Sequence, residues 1–328
     1  MSNKSEKPKM SSKDLIYQKC RAKGITFKYI QEDKAVKCIQ EKNNFLRMGS
    51  YRKNYKKHDP TAGNPDHYIN LDFGYLYELS VIDMHLRHLI TKMCIDVEHA
   101  LKVSLIKTIE DESTQNGYSI VADYISNLNN DSRQKLIGGL EGKSKSSYTG
   151  DLICKNFTIK THKHNGRSFN KITAYTDCPA WVFVEVLSFG EFLYFHSYCA
   201  TQIGFPQIDN KILNQVRSLR NGCAHNNCLI ANLIDQSGGA PTIISTAVSK
   251  LNISKLQRRK LRNRFISEFT SLLYIYGKVV SDSVKQHRTN ELTDFLYGRA
   301  IQKKAFFKDN DVLTSSYKFI TKIVANFL

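Results

Sequence analysis

The longest helical pattern in the chain runs from Asp72 to about Glu110, and it limits the folds that the chain can adopt. Apolar residues recur there at intervals of three and four, the spacing that places side chains on one face of an α-helix. These residues are Ile82, Leu86, Leu89, Met93, Val97, Ala100 and Leu101. The stripe predicts a long core helix.

Helical patterns also dominate the second half of the chain. Asp177 and Pro179 are expected to begin one helix, with Pro179 in its first turn. Capping boxes at Ser188–Glu191 and Ser254–Gln257 are expected to begin two more. The last is predicted to be long, with an apolar stripe at Leu261, Phe265, Phe269, Leu272, Tyr276 and Val280. We therefore predict an all-α bundle around two long antiparallel helices.

Residues 115–176 interrupt the helical pattern with glycine, serine and lysine. Residues 157–161 alternate as a short strand would, so this segment is interpreted as a small mixed α/β insertion that could contain a hairpin. Its basic residues, Lys143 and Lys145 among them, could face RNA. A solvated insertion without a ligand is the alternative.

These patterns divide the chain into five parts. They are a disordered tail at residues 1–12, an N-terminal helical segment at 13–70, a helical core at 71–114 and 177–289, the insertion at 115–176, and a C-terminal tail at 290–328 that is expected to be helical.

Positive charge is the strongest clue in the composition. The chain has 48 Lys and Arg against 30 Asp and Glu, a formal net charge of +18. Such a charge suits a polyanion, a membrane surface or simple solubility, and the interleaved aromatic residues favour nucleic acid. The densest cluster is expected to form an exposed basic ridge that contacts RNA phosphates. It comprises Lys255, Arg258, Arg259, Arg262 and Arg264, with Lys260 between them.

The eight cysteines include no CxxC pair, which indicates a reducing cytoplasm rather than a disulfide framework. Cys223, His225 and Cys228 lack a fourth ligand at a familiar spacing, so we expect neither a metal nor another cofactor. No apolar run reaches the ~18 residues of a membrane span, and the first residues lack an apolar signal core. We expect a soluble, cytoplasmic protein.

The candidate site is the segment 217–228, whose central residues are Arg220, Asn221 and His225. A permanently charged guanidinium near an imidazole is a workable pair for phosphodiester chemistry. In a continuous helix these two positions would lie roughly 140° apart, so we predict a break at Asn221-Gly222. Arg220 would then end one helix and His225 would begin the next. A helix-helix turn with an incidental histidine is the alternative.

The long helix places Arg87 and Glu98 three turns apart on nearly one face. If this face meets the motif, Glu98 could orient Arg220 or His225 through a charge-assisted hydrogen bond. A surface salt bridge is the alternative.

The run Arg-Asn-x-Cys-Ala-His at Arg220–His225 resembles the signature of the Abi-like family, which includes AbiD and AbiF, within the HEPN superfamily. Other segments agree with that family in the same order along the chain. They are Lys23–Ile25, Asn43–Tyr51, Leu76–Lys102 and Pro179–Gly190. The resemblance extends over roughly residues 20–232, but residues 226–232 depart from the family's usual continuation after the histidine.

The resemblance implies a HEPN-like helical bundle and an RNA-cleaving role in abortive-infection defence against phage. In such sites the RNA 2′-hydroxyl attacks its own phosphorus without a metal. His225 would carry the proton, Arg220 would bind the phosphoryl oxygens and Asn221 would hold the turn and orient the pair. A homodimer is expected because one chain supplies one motif histidine. A bound noncoding RNA is a further implied partner.

A different class of function stays open at this point. The chain could be a non-catalytic RNA-binding module, or an RNA-partnered toxin-antitoxin component, in which Arg220 and His225 only contact phosphate or pack the turn.

Overall fold

The computed structural model describes residues 9–61, 63–114, 116–164 and 167–328. This part of the chain is predominantly α-helical and contains a single two-stranded sheet, which confirms the predicted fold class. The chain forms two compact units. The first comprises the described residues up to Cys94 together with Ser218–Leu328, and the second comprises Ile95–Arg217.

The α-helices and strands follow in chain order. They are α1 (Ser12–Asp14), α2 (Glu32–Lys37), α3 (Phe45–Ser50), α4 (Phe73–Asp111), α5 (Ser119–Asn127), α6 (Asn130–Lys143), α7 (Gly150–Asn156), β1 (Thr158–His164), β2 (Arg167–Ala174), α8 (Ala180–Val186), α9 (Phe189–Ile203), α10 (Asn210–Ala224), α11 (Thr242–Ser249), α12 (Lys255–Arg258), α13 (Arg264–Val279), α14 (Asp282–Tyr297) and α15 (Asp311–Phe327).

Shorter helical turns extend several of these helices. Turns of π-helix follow α1 and α2 at Leu15–Cys20 and Cys38–Lys42, and 3₁₀ turns lie at Arg21–Lys23, Tyr51–Asn54, Arg259–Arg262, Arg299–Ile301 and Lys304–Phe307. The predicted disordered tail at residues 1–12 falls, up to residue 8, outside the described residues. Ser11 caps α1 through a hydrogen bond from the backbone of Asp14.

The 39-residue helix α4 is the predicted long helix, and four of the seven residues of its apolar stripe are buried. Leu86, Met93, Val97 and Leu101 are each at most 5% exposed. In the first unit α13 is buried along most of its length, and it packs against α15. Burial of these stripes is the main contribution that holds the helices together.

The predicted helix that begins at Ser254 is shorter than expected. The capping box of Ser254 and Gln257 is present, but α12 and its 3₁₀ continuation end at Arg262. Asn263 then caps α13, because its side-chain oxygen accepts from the backbone of Ile266 while its amide donates to two carbonyls of residues 232 and 235. The prediction of one continuous helix over this stretch is wrong.

The second unit contains α5 to α9 and the hairpin of β1 and β2. The strands pair antiparallel, with Ile159 opposite Ile172 and an irregularity after Thr158. The mixed insertion is therefore present. The capping box of Ser188 and Glu191 begins α9 as predicted, whereas Pro179 caps α8 rather than lying in its first turn.

Candidate functional site

Helix α10 runs without interruption through Asn221 and Gly222, so the predicted break at this dipeptide is wrong. The helix ends instead at Ala224, and Asn226 two residues later adopts a left-handed backbone with φ of 57°. The amide of Asn226 donates to Cys223 O at 2.9 Å, and the amide of Asn227 donates to Gly222 O at 2.9 Å. These two bonds form a Schellman motif, a common end of an α-helix. His225 caps the helix and does not begin another.

Because α10 is continuous, Arg220 and His225 point in different directions. Positions five residues apart are separated by roughly 140° about a helix axis, so the two side chains do not share a face within one chain. Arg220 is half-buried, and Asn221 and His225 are exposed. Across the described residues, none of these three side chains makes a hydrogen bond or an ion pair. The sequence analysis predicted that Asn221 would hold the turn, but its side chain makes no such contact. The turn is formed by Asn226.

Asp83, a residue that the sequence analysis missed, binds the loop that follows the motif at residues 229 and 230. Its carboxylate is fully buried and accepts hydrogen bonds from four donors. The donors are the hydroxyl of Tyr51 at 2.8 Å, the guanidinium of Arg87, and the backbone amides of Leu229 at 3.0 Å and Ile230 at 3.1 Å. A buried charge with this many donors fixes the loop firmly.

Burial and neighbouring charge change the pKa of both Asp83 and Tyr51. Burial raises the pKa of Asp83, while the Tyr51 hydrogen bond, the charge of Arg87 and the two loop amides oppose that rise. Burial, followed by the nearby charge of Asp83, raises the pKa of Tyr51. Tyr51 therefore stays a protonated donor, and the carboxylate of Asp83 is its acceptor.

Two arginines bind the residues that directly follow His225. Arg47 donates to the main-chain oxygen of Asn226 at 2.6 Å and to its Oδ1 at 3.2 Å. Arg87, which is 5% exposed and paired with Asp83, also donates to the carbonyl of Asn227 at 3.3 Å. The predicted supporting residue Arg87 thus contacts the motif loop through a backbone carbonyl.

Further along, the loop is held by two buried asparagines. Asn54 donates to Ile230 O at 2.8 Å and accepts from the amide of Leu233 at 2.7 Å. Asn263 donates to the carbonyls of Asn232 and Asp235 at 2.9 and 3.0 Å. The backbone from Asn226 to Asp235 is therefore fixed by side chains that are distant in sequence.

Glu98, the other predicted supporting residue, forms a salt bridge, the kind of contact that the sequence analysis gave as its alternative. Its carboxylate pairs with Lys102 at 3.4 Å, one turn along α4. The acid that holds the motif loop is Asp83, four residues before Arg87, and this i, i+4 pair is a sequence signal that could have identified it.

The cysteines of the motif are not arranged as metal ligands. Burial raises the pKa of Cys223 to about 11. Nowhere in the described ranges do three or more His, Cys, Asp or Glu side chains form a group that could hold a metal ion.

A family model described as Abi-like protein matches residues 39–231, more than half of the chain. The chain belongs to the Abi-like protein family. Membership in this family points to a role in abortive-infection defence. The matched segment of the Abi-like protein encloses Arg47, Asp83, Arg87, Arg220 and His225, and so it contains the motif and the residues that hold the first part of its loop. Searches of curated proteins and of solved structures found no significant match.

The basic ridge of this Abi-like protein lies outside the matched segment. Lys255, Arg259 and Arg262 are exposed and Arg258 is half-buried. Across the described chain, none of these four side chains forms an ion pair or a side-chain hydrogen bond. Arg264 differs from them because it donates to Glu268 at 2.9 Å and to Ser218 at 2.8 Å.

The two predicted RNA-binding lysines of the insertion are occupied by contacts within the second unit. Lys143 donates to Val186 O at 2.8 Å and to Glu191 at 3.3 Å. Lys145 donates to Ser168 O and lies over the ring of Phe169.

Among the described residues, no helix of this Abi-like protein combines the length and the apolar character needed to cross a membrane.

Proposed function

We propose that this Abi-like chain is a metal-independent endoribonuclease of an abortive-infection system. In the reaction, the 2′-hydroxyl of RNA attacks the adjacent phosphorus and the bond to the 5′-oxygen breaks. The products are a 2′,3′-cyclic phosphate and a 5′-hydroxyl end. Defence is the part that follows from the family, and catalysis is our own inference.

The main support is the combination of a firmly held loop with unpartnered side chains at its start. Arg47 and Arg87 fix the two residues after His225, and Asp83 fixes Leu229 and Ile230. The side chains of Arg220 and His225 make no competing hydrogen bond or ion pair in the described chain. The backbone that follows His225 is therefore fixed, while the donors of both motif side chains remain available to a phosphate.

Each motif side chain has a distinct proposed role. His225 removes the proton of the 2′-hydroxyl or donates one to the departing 5′-oxygen. Arg220 binds two phosphoryl oxygens through its planar guanidinium as negative charge accumulates there. Asn221 is exposed one residue later and would donate its amide to the RNA backbone.

Helix geometry favours a site assembled from two chains. Arg220 and His225 diverge by roughly 140° on one continuous helix, so a single phosphate cannot readily contact both within one chain. A second copy would place its own motif opposite and would also supply the second proton carrier. We propose a homodimer with the two motifs facing each other, and a noncoding RNA as a further partner of the assembly.

The unpaired ridge supports an alternative, a module that binds RNA without cleaving it. Lys255, Arg258, Arg259 and Arg262 could neutralise phosphates in either case. The two functions differ in what the motif does, so the deciding experiment changes the motif and leaves the ridge intact.

The test is cleavage of defined single-stranded and structured RNAs in excess EDTA, with analysis of the product ends. We expect cyclic phosphate ends and a loss of about 10²- to 10⁴-fold in turnover for His225→Ala. Arg220→Lys keeps the charge but loses the planar fork, and it should also cleave slowly. The matched control is His287→Ala on α14, which removes an exposed histidine and should cleave at the wild-type rate.

Circular dichroism and RNA affinity complete this experiment. His225→Ala should keep the wild-type fold and bind RNA within a few-fold of wild type. A folded His225→Ala protein that cleaves at the wild-type rate would exclude the catalytic role. Wild type that binds RNA tightly and cleaves none would establish the binding module instead.

A further inference from the structure

A cavity of the first unit lies beyond the motif loop. It measures about 420 Å³ and is bounded by residues 233–236, by residues 256–263 and by one face of α15. Neither Arg220, Asn221 nor His225 lines it. Its volume falls within the range of about 300 to 1,000 Å³ that is usual for sites of small molecules.

The charged groups that line this cavity are mostly cations. Arg259, Lys260 and Lys318 contribute positive charge, and Asp235 is the one acidic residue in the lining. The carboxylate of Asp235 already accepts hydrogen bonds from the amide of Ser237 at 3.1 Å and from its hydroxyl at 2.7 Å. The cavity is therefore suited to an anion.

The ammonium of Lys260 gives the strongest indication that the cavity binds an anion. This half-buried ammonium donates to the hydroxyl of Ser316 at 3.0 Å and to the carbonyl of Val312 at 3.4 Å. No carboxylate pairs with it anywhere in the described chain. An ammonium has three donors, so one is left, and burial without an opposing charge lowers the pKa of Lys260. A bound anion would supply the missing charge and acceptor.

The remaining walls of the cavity are apolar, so they suit a ligand with an apolar part as well as an anionic group. Leu233, Ile234 and Leu256 line it, and Leu256 is 71% exposed. Apolar walls beside cations suit a flat base or sugar attached to a phosphate. We propose that this cavity binds a nucleotide, with the phosphate on Lys260, Arg259 and Lys318 and the base against Leu233 and Leu256.

The ligand could be a free nucleotide or the phosphorylated end of an RNA chain, since both present the same chemistry. The site uses residues other than the motif, so nucleotide binding does not depend on cleavage. It also lies on the part of the loop that follows the segment held by Asp83. This independence allows the two proposals to fail separately.

The experiment is equilibrium binding to the full chain, with the four nucleoside monophosphates, the matching nucleosides and inorganic phosphate as probes. We expect at least one monophosphate to bind tenfold or more tightly than its nucleoside and than inorganic phosphate. Lys260→Met keeps the side-chain length and removes the charge, and it should weaken that binding at least tenfold. The control is Lys308→Met, an exposed lysine outside the cavity, which should leave binding unchanged.

Further arms identify the source of the ligand. If 5′-phosphorylated oligonucleotides bind more tightly than monophosphates and than 5′-hydroxyl oligonucleotides, the ligand is an RNA end. If monophosphates bind more tightly, it is a free nucleotide. All titrations are repeated with His225→Ala, where binding should be unchanged even though cleavage is lost.

Several results would overturn the proposal. They are equal affinity for nucleoside and nucleotide, affinity for inorganic phosphate that matches the nucleotide, or unchanged binding by folded Lys260→Met protein. If Lys260→Met does not fold, the pair Arg259→Gln and Lys318→Gln changes exposed side chains and decides the question in the same way. Wild type that binds a nucleotide but cleaves no RNA would refute only the nuclease.

Discussion

Arg47 and Asn226 are 179 positions apart in sequence, and the guanidinium of Arg47 contacts both oxygens of Asn226. Asn226 is also the left-handed residue that ends α10 directly after His225. The same arginine therefore fixes the backbone and the side chain of the residue that sets the direction of the loop. Through this contact the N-terminal segment takes part in positioning the motif.

The buried pair of Asp83 and Arg87 predicts a large effect on stability. Asp83→Asn removes the charge that balances a buried guanidinium, and breaking a buried pair from one side costs about 3 to 5 kcal/mol. Urea unfolding should show this loss, and hydrogen exchange should show faster exchange at Leu229 and Ile230. Asp151→Asn is the matched control, because its exposed i, i+4 pair with Lys155 should contribute about 1 kcal/mol or less. Equal effects of the two substitutions would contradict the assignment of Asp83.

A two-chain site predicts complementation between inactive variants. Arg220→Ala and His225→Ala proteins should each cleave RNA poorly. Mixed after dissociation, they should recover part of the activity, because a mixed dimer retains one intact combination of Arg220 and His225. Light scattering gives the mass of the active species. A strictly monomeric protein that cleaves at the full rate would exclude a composite site.

The ridge predicts an effect on affinity rather than on chemistry. Arg258→Gln combined with Arg262→Gln should weaken binding of single-stranded RNA and reduce its dependence on salt. Each lost phosphate contact should lower the slope of log affinity against log salt by about 0.7. Lys34→Gln with Lys42→Gln removes the same charge from another surface and serves as the control. Equal slopes for the two double variants would argue against RNA contact at the ridge.

His196 predicts a loss of stability in acid. Burial lowers its pKa from 6.5 to about 4 in the folded chain. The unfolded chain therefore takes up the proton first as pH falls. The contribution of neutral His196 to the free energy of unfolding is complete above pH 6.5, decreases as pH falls, and is lost as pH falls through about 4. The expected loss at pH 4 is roughly 3 kcal/mol.

His196→Phe keeps a ring beside Phe192 and Phe205 and removes the titrating group. Unfolding free energies measured at pH 7 and pH 4 should show a smaller acid loss for this variant than for wild type. His162→Ala, an exposed histidine of the hairpin, should behave as wild type does. An identical acid loss in His196→Phe would show that His196 is not responsible.

The elements that follow local rules could be predicted from the sequence. The stripe that includes Leu86 and Met93 identified α4, and the capping boxes at Ser188 and Ser254 marked two helix starts. The Arg220–His225 segment was also located, because its residue types and spacing are local. Each of these signals depends on residues within a few turns of one another.

The residues that hold the motif were harder to predict because their partners are distant. Asp83 binds amides 146 and 147 positions away, and Asn54 binds a carbonyl 176 positions away. The prediction of where α10 ends was wrong for a local reason. Asn221-Gly222 and Asn226 can all adopt left-handed backbone, and the structure uses Asn226, the residue that Arg47 contacts.

The backbone at Asn226 also limits how this position can change during evolution. With φ at 57°, it suits glycine, asparagine or aspartate, and a β-branched residue would be strained. A mutation to valine or isoleucine there would leave the chemistry of His225 unchanged and would still misdirect the loop. In descendants of this chain, substitutions at position 226 should therefore stay within a few small residue types.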